Sequence, residues 1–161
     1  MATLIPAENF QINAKAAPII TPGTFTSSGP AHTFTLGKNL ALQLEKGSVV
    51  AISGPLGAGK TCFAKGIALG LGVKEEITSP TYTIVSEYQG ACFTVYHIDA
   101  YRLKGDDDFY AIGGEEIIYG KGISIIEWCE NIEGFISKGA YRVDIKIRSE
   151  EKRLINIHRV E

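Results

Sequence analysis

Eight consecutive residues, GPLGAGKT from Gly54 to Thr61, fit the pattern GxxxxGK[ST]. The chemistry open to such a stretch is the grip of a polyphosphate. Glycines let a loop wrap with its backbone N–H groups turned inward, an anion nest that β-carbons would obstruct. A helix starting near Lys60 adds its positive dipole end and its unpaired N–H groups at the same spot. Lys60 can then reach the β- and γ-phosphates, and the Thr61 hydroxyl can ligate Mg²⁺. A chance match in a glycine-rich turn is the competing reading. It makes no demand on the flanks, whereas here a short apolar run precedes the loop and helical spacing follows it.

A phosphate loop also needs a carboxylate at the end of a neighbouring strand to hold magnesium or its water. Two acids qualify: Asp99 follows Val95–Ile98 and Glu127 follows Ile123–Ile126, each just past an apolar run where an open sheet presents its ligand crevice. Either could instead be a surface acid capping the next turn. Ser79-Pro80-Thr81 offers hydroxyls that could sense a γ-phosphate as a switch loop does, or could simply turn the chain into a strand. His97 shares a strand face with Asp99 and reads most simply as a core histidine, with Trp128 as a packing residue beside Glu127. Neither the guanine-reading NKxD nor a DxxG switch occurs, which favours adenine. No arginine precedes Arg102, so the phosphoryl clamp of a small kinase lacks its usual residues and kinase ranks second.

The elements that must position these residues are legible from spacing. Leu36, Leu40, Ala41 and Leu44 recur at helical intervals, with Thr33 or Thr35 as the cap and Gly47 as the stop. Ser48–Ser53 is a short β-branched run, the buried strand that delivers the chain to Gly54. Phe63, Ile67 and Leu71 stripe a second helix ending at Gly70 or Gly72. Thr81–Tyr88 and Cys92–Ile98 read as a hairpin joined through Gln89-Gly90. Asp106–Tyr119 is partly helical, Ile123–Ile126 another buried run, and Asn131–Ile136 a brief helix. Tyr141, Val143, Ile145 and Ile147 alternate with Arg142, Asp144, Lys146 and Arg148, and the chain returns through Arg153–Val160 as a C-terminal hairpin. Residues 1–31, with four prolines and the run TPGTFTSSG, read as a flexible leader, and 32–161 as the domain.

Bulk properties narrow the class further. A chain of 161 residues that is 45% hydrophobic holds one core. Sixteen basic and eighteen acidic residues leave a net charge of -2, so no global field advertises nucleic acid or anionic lipid. The row Arg142, Lys146, Arg148 and Arg153 could touch tRNA, but such a row is more often a solvated strand face. Cys62, Cys92 and Cys129 show no metal spacing and read as small core side chains in a reducing compartment. No run reaches the roughly 18 apolar residues of a membrane span, and no signal or transit pattern opens the chain, so the expected address is the cytoplasm.

Together GPLGAGKT, SPTYTIVSEY (79–88), YHIDAYRL (96–103) and IIEWCENI (125–132) resemble the TsaE family, called YjeE in older naming, over about residues 33–160. The resemblance implies a single-domain α/β P-loop NTPase fold with a central mixed β-sheet flanked by helices. It further implies binding and slow hydrolysis of Mg²⁺-ATP, within a complex that makes threonylcarbamoyladenosine at position 37 of tRNA. The implied partners are a TsaD-like transferase and a TsaB-like paralogue, with tRNA met indirectly and no membrane. Carried over by residue, Gly54, Leu56, Gly57, Ala58, Gly59 and Lys60 would cradle phosphate, with Cys62 alongside. Thr61 and Glu127 would hold the metal, which decides the contest with Asp99. Asp99 and Thr81 would serve hydrolysis, and Thr33 and Glu130 would lie beside the nucleotide. Two departures stand out: Pro55 replaces a usual acid, and Cys129 replaces the proline that commonly follows Glu-Trp. The alternatives are a small P-loop kinase and a nucleotide-dependent binding module without turnover.

Overall fold

The computed structural model describes residues 20–80 and 82–161. Among these, the order is β1 (Gly23–Ser27), α1 (Pro30–Ala41), β2 (Val49–Ser53), α2 (Lys60–Gly70), β3 (Val85–Gln89), β4 (Thr94–Asp99), α3 (Asp106–Ala111), α4 (Gly114–Ile118), β5 (Ile123–Glu127), a 3-10 helix (Cys129–Phe135), β6 (Tyr141–Ile147) and β7 (Arg153–Arg159). All strands join one sheet in the order β1-β7-β6-β2-β5-β4-β3. β2 is parallel to both β5 and β6, and β4 is parallel to β5. The β3–β4, β6–β7 and β1–β7 pairs are antiparallel. The sheet is therefore mixed, as expected.

The period of two along β2 divides the core between the faces of the sheet. Val50 and Ile52 pack with Leu40, Phe63, Ile67 and Ile125 on the side covered by α1 and α2. Val49 and Ala51 pack with Ile98, Phe109, Ile126 and Ile132 on the other side. Full burial of an Ile or Phe side chain is worth about 1.5–3 kcal/mol, so this two-sided burial fixes the central strands firmly. α1 and α2 lie unusually close. A β-carbon on Gly37 would sit 2.2 Å from the Phe63 carbonyl oxygen, and one on Gly66 would sit 2.1 Å from that of Phe34.

Several boundaries differ from the sequence reading. Residues 23–31, assigned to a leader, belong to the fold: β1 pairs in register with β7, Gly23 opposite Ile157 and Ser27 opposite Arg153. β1 covers the edge that β7 would otherwise expose. Residues 1–19 of that leader lie outside the described residues. α1 begins at Pro30, three residues before the expected cap, because Gly29 is its N-cap and proline suits the first helical position. Thr33 instead meets the Ser27 hydroxyl at 2.7 Å, and Thr35 donates to the Ala31 carbonyl. β3 starts at Val85 because the chain turns first: the Ile84 N–H donates to the Pro80 carbonyl and Ile84 takes a left-handed φ of 61°. Ile147 ends β6 at 46% exposure, past the helices that bury Tyr141, Val143 and Ile145. Of the cysteines, Cys129 is buried, Cys62 half-buried and Cys92 exposed in the β3–β4 turn, so Cys92 is no core residue.

Candidate functional site

The parallel strands β2, β5 and β4 end on the same side, with Ile52 opposite Glu127 and Glu127 opposite Asp99. The chain leaves β2 into the Gly54–Thr61 loop, so loop and acids meet at the carboxyl ends of the strands, where open α/β sheets bind ligands. Gly59 caps α2 with φ 105°, a conformation that costs an L side chain about 1–2 kcal/mol and glycine nothing. The result is a cleft of about 420 Å³ lined by Leu56, Gly57, Gly59, Lys60, Thr61, Cys62, Ser79, Asp99, Tyr101, Glu127 and Trp128.

Lys60 is 5% exposed. Its Nζ donates to the carbonyls of Gly54 (2.6 Å) and Pro55 (2.9 Å) and stands 3.9 Å from the centre of the Trp128 ring. Burial lowers its pKa, opposed by the negative charges of Glu127, Glu130 and Asp99. Pro55 therefore contributes its carbonyl rather than a donor, and that carbonyl also accepts the Ala58 N–H at 3.0 Å. Trp128 holds its ring here through a left-handed turn (φ 57°) directly after β5, stacked obliquely at 4.8 Å on Tyr101.

Glu127, 3% exposed, is held at both oxygens. The Thr61 hydroxyl donates to Oε1 at 2.6 Å, and His97 Nε2 faces Oε2 at 2.7 Å. A carboxylate accepts, so Nε2 carries the proton, and the buried Nδ1 has no hydrogen-bond partner among the described residues. Two hard oxygens, one hydroxyl and one carboxylate, thus stand side by side. That donor set fits Mg²⁺, which takes one or two protein ligands and completes its shell with substrate phosphate and water. Asp99 is engaged differently: Oδ2 accepts the Ser79 hydroxyl at 3.1 Å and Oδ1 the Tyr101 N–H at 3.0 Å. These contacts join the SPT loop to the end of β4.

The expected residues mostly converge. Gly57, Gly59, Lys60, Thr61, Cys62, Asp99 and Glu127 share the cleft, and Leu56 lines it while 84% exposed. Thr33, Ala58, Gly59 and Cys62 border a smaller adjoining cavity of about 130 Å³. Glu130 lies outside the cleft lining but close enough to act on the charge of Lys60. Gly54 borders a separate groove on the β6 side of the loop. Thr81 lies outside the described residues. His97, expected as a core histidine, is fully buried and is bound to Glu127, a partner that its strand pattern did not name. The basic row is partly consumed within the protein: Arg142 pairs with Glu133, and Arg153 is turned onto main-chain carbonyls. Cys129, in place of proline, is a buried thiol whose pKa burial pushes up to about 12.

Comparison with known proteins gives the family. Residues 27–155 match the family described as "Threonylcarbamoyl adenosine biosynthesis protein TsaE". A "tRNA threonylcarbamoyladenosine biosynthesis protein TsaE" of Treponema pallidum is 46% identical over 114 residues, 71% of this chain and 84% of the relative. The protein of the same name from Bacillus subtilis is 36% identical over 126 residues, 78% of each chain. Among solved structures, that of Bacillus subtilis YdiB superposes with a TM-score of 0.73 at 30% identity, covering 89% of both chains. With the family model matching residues 27–155 and relatives of that name at 46% and 36% identity, the chain belongs to the TsaE family.

Proposed function

We propose that this protein takes part in tRNA threonylcarbamoyladenosine biosynthesis as an accessory ATPase that binds Mg²⁺-ATP and hydrolyses it slowly. Family membership supports the pathway. The observation that carries the chemistry is the contact between Thr61, on the helix after the phosphate loop, and Glu127, at the end of the neighbouring strand.

In this reading the loop amides and the α2 N-terminus receive the phosphates, and Lys60 leaves the Gly54 and Pro55 carbonyls for the β- and γ-phosphate oxygens. Thr61 and Glu127 would hold Mg²⁺, with His97 keeping the Glu127 carboxylate oriented. The cation would supply neutralisation of charge developing on the phosphates. Asp99, tied to Ser79, orients the attacking water and links its position to the order of the SPT loop. The expected partners are a TsaD-like transferase and a TsaB-like paralogue in the cytoplasm, with tRNA met through the complex. No helix among the described residues is long and apolar enough to cross a membrane.

The test is phosphate release from ATP by the full chain, alone and with the two partner subunits, alongside pull-downs with ATP, ADP or no nucleotide. Slow release, and capture that depends on the nucleotide, are expected. Tight ATP binding with capture but no release would leave a nucleotide-dependent binding module. Transfer of phosphate to a small acceptor would make it a kinase.

A further inference from the structure

Arg153, the first residue of β7, lays its guanidinium along the outside of the phosphate loop. Nε donates to the Ala58 carbonyl at 3.0 Å and one Nη to the Gly57 carbonyl at 3.2 Å. The other Nη holds the β6–β7 turn through the carbonyls of Ser149 (2.9 Å), Glu150 (3.1 Å) and Lys152 (3.1 Å). Each of these contacts goes to a main-chain carbonyl, although Glu150 and Glu151 border the same small cavity. The fork of donors is thus spent on joining two loops and not on a surface ion pair.

The choice of carbonyls matters. A peptide group is planar and trans, so a carbonyl pinned outward turns the N–H of the next residue the opposite way. The Gly57 carbonyl shares its plane with the Ala58 N–H, which closes the loop's own turn on the Pro55 carbonyl at 3.0 Å, and the Ala58 carbonyl shares its plane with the Gly59 N–H, the last amide before α2. A cationic donor at the Ala58 carbonyl also polarises that peptide and strengthens the Gly59 N–H toward an anion. Gly57 and Gly59, with φ of 76° and 105°, make the segment intrinsically free to turn, which is why an external tie has an effect.

Building on the nucleotide-binding reading above, we propose that Arg153 is a positioning residue of the phosphate cradle, holding the two peptide planes around Ala58 and with them the turn on Pro55 and the direction of the Gly59 amide. It touches no phosphate itself. It also makes the β6–β7 turn a handle on the loop.

The test compares the full-length wild type with Arg153→Gln and Arg153→Lys, reading ADP and ATP affinity by calorimetry and turnover separately. Arg153→Gln should weaken both nucleotides about tenfold and raise KM by a similar factor, with kcat within about twofold, because the cradle serves ground and transition states alike. Arg153→Lys, which offers one compact donor group where the fork offered several, should weaken binding about threefold. A purely structural role would lower the ligand-free melting temperature and leave affinity unmoved. Either variant binding as tightly as wild type overturns the proposal, and so does a fall in kcat at constant KM. If Arg153→Gln does not fold, Arg153→Lys carries the same comparison. A wild type that binds nucleotide but releases no phosphate would sink the ATPase reading alone, since the affinities still decide the role of Arg153.

Discussion

Thr61 and Glu127, 66 residues apart in the chain, meet in a 2.6 Å hydrogen bond between the first turn of α2 and the end of β5. With His97 on its second oxygen, the Glu127 carboxylate is bracketed before any ligand arrives. On the proposed reading, a pair so oriented would lose little entropy on taking Mg²⁺.

Glu127→Gln keeps the shape and removes the charge. We expect the Mg²⁺ concentration for half-maximal ATP binding to rise by at least roughly 10-fold, since even the loss of a group that only supports a metal ligand costs about 10–100-fold. Titration of Mg²⁺ against ATP affinity checks this. Equal dependence in variant and wild type would move the metal to Asp99.

Lys60 has a pH signature as well as a binding role. Burial depresses its folded-state pKa below the ordinary 10.5, against the pull of Glu127, Glu130 and Asp99. Between the depressed value and 10.5 the unfolded chain binds more protons, so this group's contribution to stability rises with pH in that window and is flat below it. The stability of wild type relative to Lys60→Met should therefore climb as pH approaches 10.5, measured by denaturant midpoints. A pH-independent difference would contradict the shift. The same variant should bind ATP at least about 100-fold more weakly, through loss of charge-assisted contacts.

Asp99→Asn should separate chemistry from binding. The amide oxygen can still accept from the Tyr101 N–H, and the amide nitrogen can donate to the Ser79 hydroxyl, but the group is a poor base, so kcat should fall by roughly 10²–10⁴ with ADP affinity nearly unchanged. Single-turnover phosphate release gives the answer. A variant with wild-type kcat would remove Asp99 from the hydrolytic step.

Gly66→Ala tests the packing that sets α1 beside the loop. The added β-carbon would stand 2.1 Å from the Phe34 carbonyl oxygen and 3.0 Å from the Lys38 nitrogen, both backbone atoms that cannot swing away. Overpacking costs roughly 1–3 kcal/mol and outweighs the better helix propensity of alanine. Because α1 carries Thr33 next to Gly59, nucleotide affinity should fall together with stability. Urea unfolding and calorimetry on the same sample measure both, and an undiminished midpoint would refute the close-contact account.

Much of the frame was legible from local pattern. β2, β5 and α2 lie within a residue or two of where their periodicity placed them, because a short β-branched run and an i, i+4 stripe each have one economical way to be buried. The cradle was legible for a similar reason: glycine spacing, lysine and threonine act within one turn of chain. β1 was not. Its TFTS run is β-prone but only four residues long and set between Pro22-Gly23 and Ser28-Gly29-Pro30, so it reads as a loop, and it became a strand because β7 presented an open edge in register.

By itself, then, the amino-acid order determined the phosphate loop, the strand and helix that flank it, and the acids standing at strand ends. Tertiary structure alone decided that Glu127 meets Thr61 and His97, that Asp99 meets Ser79, and that Arg153 from the last strand grips the carbonyls of Gly57 and Ala58. The physical reason is range. Periodicity and turn preference act over a few residues, whereas these partners are brought together by the order β7-β6-β2-β5-β4, which side-chain burial on both faces of the sheet selects.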